Sequence, residues 1–95
     1  MARVKSRKYP VFVSRLHRAL RAGLNQAGIE AAIRHENVPS TKLYRFLVVA
    51  KKFENMAPSE RQHVVWRLAD QVLSEDEQML VSMILTLTPD EVEGS

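Results

Sequence analysis

The sequence predicts an α+β domain, a three-stranded sheet with helices mainly on one face, in the order α-β-β-α-β. Two stretches carry apolar residues at helical spacing, three alternate in the manner of strands, and 95 residues with a 45% hydrophobic share suit one small core. No apolar run reaches the ~18 residues of a spanning helix, and the start lacks the apolar core and cleavage site of a secretory signal. The expectation is a cytoplasmic chain without a membrane partner. With no cysteine, disulfides, thiolate metal sites and cysteine nucleophiles are excluded.

The chain opens on a basic arm, residues 1–10, holding Arg3, Lys5, Arg7 and Lys8. The expected domain follows over residues 11–92, with 93–95 as a tail. In the first helix Phe12, Val13, Leu16, Leu20, Gly23, Leu24 and Ala27 share one arc, and Arg15, Arg18 and Arg21 lie almost opposite. Gly28 supplies the stop. Residues 29–36 read as a short strand with Ile29, Ala31 and Ile33 on one side. Turn residues in "NVPSTK" lead into "LYRFLVVA", where Tyr44, Phe46, Val48 and Ala50 alternate with Arg45, Leu47, Val49 and Lys51. A loop this short makes the two strands a hairpin.

Pro58 suits a first helical turn, and Ser59 with Gln62 matches the S-x-x-Q capping box. Val64, Val65, Leu68, Ala69, Val72 and Leu73 then form the apolar face of the second helix. Glu60, His63, Arg67, Asp70 and Gln71 face outward, with Trp66 at the border. Ser74 and Glu77 predict a capped short turn before the last strand. There, Met79, Val81, Met83, Leu85 and Leu87 are assigned to the core, and Leu80, Ser82, Ile84 and Thr86 to the other side.

Charge is asymmetric. Residues 1–29 carry +7 and the remainder −4, because Glu30 is the first acid. Such an arm and helix face can hold phosphates by counterion release, joined by Lys51, Lys52, Arg61 and Arg67 around the second helix. Glu60 and Asp70 on that helix oppose phosphate, so the expected nucleic-acid binding is weak and salt-sensitive. The chain lacks a G-x-S-x-G elbow, a phosphate-cradling glycine loop and H-E-x-x-H, so no catalytic residue, metal ligand or cofactor is assigned. His17, His35 and His63 are 18 and 28 residues apart, without i, i+3 or i, i+4 pairing, and read as surface histidines.

From Phe46 to Glu91 the sequence resembles the BolA family, particularly its IbaG-like branch. "FLVVAKKFENM" is similar to the family's strand and F-[DE]-G turn, "ERQHVVWRL" to its helix, and "VSMILTLTPDE" to its last strand and T-P-x-E ending. The first helix and "AGIEAAI" fit the family's opening elements. The resemblance implies a fold similar to the type II KH domain without the G-x-x-G clamp, and two activities: DNA binding as a regulator, or pairing with a monothiol glutaredoxin in iron–sulfur homeostasis. Three departures bear on the second. Leu80 stands where the family's iron-ligand histidine is expected, "NVPSTK" has no Cys or His, and Asn55 replaces the glycine after F-[DE]. The expected function is thus a non-enzymatic regulator binding nucleic acid, or an adaptor docking a glutaredoxin without supplying the usual ligands. Trp66, Leu80 and Ile84 are the expected protein-contact residues.

Overall fold

A computed structural model describes residues 9–94, so the basic residues Arg3, Lys5, Arg7 and Lys8 lie outside the described part. The elements are α1 (Val11–Gln26), β1 (Ala31–Asn37), β2 (Tyr44–Ala50), a 3-10 turn (Lys51–Asn55), α2 (Pro58–Val72), α3 (Glu75–Gln78), β3 (Val81–Leu87) and α4 (Pro89–Gly94). The architecture is α+β, with a mixed three-stranded sheet of order β1-β2-β3. β1 runs antiparallel to β2, as the short hairpin requires, and β3 runs parallel to β2 after the helical crossover.

The core forms where one face of each amphipathic element meets the sheet. Phe12, Val13, Leu16, Leu20 and Leu24 of α1 are buried with Val65 and Ala69 of α2, against Ile33, Phe46, Val48 and Ile84 of the strands. α1 and α2 approach closely because Gly23 has no side chain; a Cβ there would lie 2.4 Å from Leu68 Cδ2. Gly28, at φ 80°, ends α1 in the left-handed region that favours glycine. Tyr9 already packs against the core, which extends the folded unit ahead of residue 11.

The last strand departs from the alternation that the sequence predicts. Tyr44 pairs with Val81 but Arg45 pairs with Met83, so Ser82 is an extra residue in β3. This bulge reverses the alternation after Val81. Ile84 is 2% exposed, and Thr86 and Thr88 are also buried, whereas Met83 and Leu85 are 47% and 44% exposed. Met79 is exposed as well. A strict period of two carries Val81's inward direction through to Leu85, and the inserted residue breaks that rule.

Helix starts are legible in the sequence to different degrees. Ser74 Oγ accepts from Glu77 N at 3.1 Å, and Glu77 Oε1 accepts from Ser74 N at 2.9 Å, as the S-x-x-E pattern predicts. At α2 the expected Ser59–Gln62 box does not form. Glu60 instead reaches back to the Ala57 N–H at 2.9 Å, and Pro58 occupies the first helical position. The residues after β3 are helical, opened by a Thr88–Glu91 box with bonds of 2.8 and 3.2 Å, and the helix runs to Gly94, into the tail expected at 93–95.

Candidate functional site

The helices cover one side of the sheet, and the other side carries the largest exposed apolar surface of the strands. The strand register places its residues in rows: Ala32, Val49 and Leu87; Arg34, Leu47 and Leu85; Glu36, Arg45 and Met83. Val49, Leu87 and Leu47 are half-buried beside the more exposed Met83 and Leu85. Arg45 forms an ion pair with Glu36. Arg34 is exposed and has no acceptor among the described residues. A depression of about 570 Å³ has Arg34, Leu47, Met83 and Leu85 in its lining together with His17 and His35 from the helix-covered side, so only part of it belongs to the open face. The result is an apolar strip with one unpaired cation at its margin.

The expected contact residues lie elsewhere. Ile84 is inside the core and unavailable for contact, and Leu80 is half-buried against that core. Trp66 is also half-buried, its indole N–H donating to Gln62 Oε1 at 3.2 Å. The strand bulge is the physical reason: it moves Ile84 inward and puts Met83 and Leu85 on the free face.

The basic residues separate into two sets. Arg61, expected from its charge to contact phosphate, is 6% exposed. Its Nε donates to Phe53 O at 3.0 Å and Met56 O at 3.2 Å, and its Nη1 reaches Thr86 O at 3.5 Å and Glu91 Oε1 at 3.0 Å. The guanidinium also lies 5.6 Å from the Phe53 ring centre. It therefore fastens the 3-10 turn, α2, β3 and α4 together and offers nothing to a phosphate. Arg15 donates to Val72 O at 2.9 Å and pairs with Glu77 at 3.0 Å, tying α1 to the end of α2. Arg18, Arg21, Lys51, Lys52 and Arg67 are exposed and unpaired with any carboxylate among the described residues. His63 is exposed on α2, as the wheel predicts.

One polar pair escapes a reading of the sequence. His17 on α1 and His35 on β1 meet with their Nδ1 atoms 2.9 Å apart, and Arg21 Nη2 lies 3.4 Å from His17 Nε2. Tyr9 stacks edge-on to His35 with ring centres 4.7 Å apart. Burial lowers the affinity of His17 for a proton, helped by the neighbouring His35 and Arg21, and burial also lowers that of His35. A signal exists in the sequence: the alternation that turns Ile29 and Ile33 inward also turns His35 inward.

These placements bear on an iron–sulfur group. Leu80 has no donor, the β1–β2 loop has neither Cys nor His, and His35 is turned into the α1–β1 seam. Among the described residues no three His, Cys, Asp or Glu groups converge as metal ligands. The donor set does not fit such a group.

No family model matches the sequence, and no curated protein does. Among solved structures, the fold matches a crystal structure titled a bol-like protein from Babesia bovis, with a TM-score of 0.52 over 95% of this chain and 96% of that one. The fold is BolA-like. Identity is 17%, so the likeness concerns the fold alone. No helix among the described residues is long and apolar enough to cross a membrane.

Proposed function

We propose that the chain is a non-enzymatic BolA-like adaptor that docks a protein partner on the open face of its sheet. The observation that carries this is the exposed Met83 and Leu85 beside Leu47, with Arg34 unpaired at the margin. Water-exposed apolar rows gain from being covered, and an unpaired guanidinium selects a partner that brings a carboxylate to it. The resemblance in sequence supplies a monothiol glutaredoxin as the partner to test, docked without cluster ligands from this chain. Calorimetric titration of the full chain with that glutaredoxin should give a complex that Leu85→Lys weakens at least ~10-fold. Equal affinity for the variant, or no complex with the wild type, removes the reading.

A second reading, weak nucleic-acid binding by a regulator in the cytoplasm, rests on the five cations left exposed without a carboxylate partner on α1, the 3-10 turn and α2. Retention on duplex DNA should fall with salt, each neutralised phosphate contributing about −0.9 to the slope, and should fall again in Arg18→Ser/Arg21→Ser. Retention unchanged by that double substitution counts against it.

A further inference from the structure

The His17–His35 contact is a polar joint between the first helix and an edge strand, and its proton positions follow from its neighbours. Arg21 can only donate, so His17 Nε2 accepts and the His17 proton sits on Nδ1. That Nδ1–H then donates to His35 Nδ1, which leaves the His35 proton on Nε2. The joint holds while His35 Nδ1 stays unprotonated and can accept.

We infer that His17 and His35 form an acid-sensitive clasp that closes the α1–β1 seam at neutral pH and opens it on protonation. The first proton has one free site in the pair, His17 Nε2, where it faces the Arg21 guanidinium. A second proton on His35 Nδ1 removes the acceptor and leaves two N–H groups pointed at each other. The two rings therefore titrate as a coupled pair. From β2 the packing group is uncharged Phe46, and from the segment before α1 it is the Tyr9 ring edge. Arg34 and Glu36, the neighbours on β1, point to the opposite face, and no carboxylate is hydrogen-bonded to either ring among the described residues. Among the described residues no anion in the seam offsets the added charge.

Tyr9 also packs edge-on to Tyr44, 5.9 Å between ring centres, so the clasp sits where the start of the chain is seated. Opening it loosens that seat while the Arg61 joint on the other side of the layer stays closed.

The sign follows from linkage. Folded-state proton affinities below the free value of 6.5 make this contribution fully present above about pH 6.5, and it is lost as pH falls from there toward the lowered values.

The test is imidazole nitrogen NMR with amide hydrogen exchange on the full chain. At pH 7.5, His17 should carry its proton on Nδ1 and His35 on Nε2, and both should titrate below the free imidazole. Exchange of α1 and β1 amides, corrected for intrinsic rate, should rise on the order of 10-fold between pH 7.5 and 5.5. His17→Gln retains an N–H donor toward His35 without a titrating ring, and should hold that rise below about 3-fold. A His17 proton on Nε2, protection that does not change with pH in the wild type, or a full rise in His17→Gln would overturn the clasp.

Discussion

Among the polar contacts that hold helices to this sheet, the Arg61 joint and the His17–His35 joint differ in the charge they carry. At β3, Arg61 places a permanently charged group under α2 and surrounds it with backbone carbonyls of Phe53, Met56 and Thr86 and the Glu91 carboxylate. At β1, His17 and His35 share a hydrogen bond that needs His35 Nδ1 free of a proton. Guanidinium stays protonated throughout the working range of proteins, whereas imidazole changes charge near neutrality. One side of the domain is therefore fixed, and the other responds to acid.

The largest expected effect breaks the fixed joint. Arg61→Met keeps the bulk but orphans buried carbonyls, so chemical denaturation should show a loss of about 3 kcal/mol. A loss below about 1 kcal/mol would mean that the joint adds little. The next effect sharpens the contrast through pH. The clasp's contribution should fade below about pH 6.5. Glu91 is held below the usual carboxylate range first by the Thr88 N–H and then by Arg61, and Glu77 first by the Ser74 N–H and then by Arg15. Depressed carboxylates stabilise above their unfolded value of about 4.5, and the benefit goes as pH falls through the folded values. Stability measured from pH 8 to 3 should thus decline in two separate windows, and Arg61→Met should reduce the lower one only.

A smaller effect concerns the sheet edges. Gln62 Nε2 donates to Ile84 O at 2.7 Å and lies 3.3 Å from Thr86 Oγ1, covering backbone on the outer side of β3. Gln62→Leu should cost roughly 1–2 kcal/mol in denaturant unfolding. The smallest is Leu85→Lys, which sits on the open face and should change stability by about 0.5 kcal/mol or less in the same assay, so that any loss of binding reports contact.

The parts legible in the sequence are those decided by local pattern. The α1 stripe, the β2 alternation and the Ser74–Glu77 cap each depend on residues a few positions apart, and each forms as expected. The illegible parts depend on tertiary contact. The Ser82 bulge is set by pairing with β2, and it decides whether Ile84 or Leu85 faces the core. Arg61 lies at i−4 from Val65 and i−8 from Ala69, in line with the buried face, yet its charge marks it as a surface residue. Its carbonyl partners come from segments that a helical wheel does not contain. His17 and His35 are 18 residues apart, and only the packing of α1 over β1 joins them. Local pattern is accordingly enough for the fold class, but it points to the wrong face of β3 for the candidate site.

The open face remains the centre of the functional proposal, and methyl-detected NMR with stepwise addition of the host's monothiol glutaredoxin tests it most directly. Docking on this face predicts saturable shifts confined to Leu47, Val49, Met83, Leu85 and Leu87. Shifts centred on α1 and α2 with those five methyl-bearing residues unmoved would contradict it.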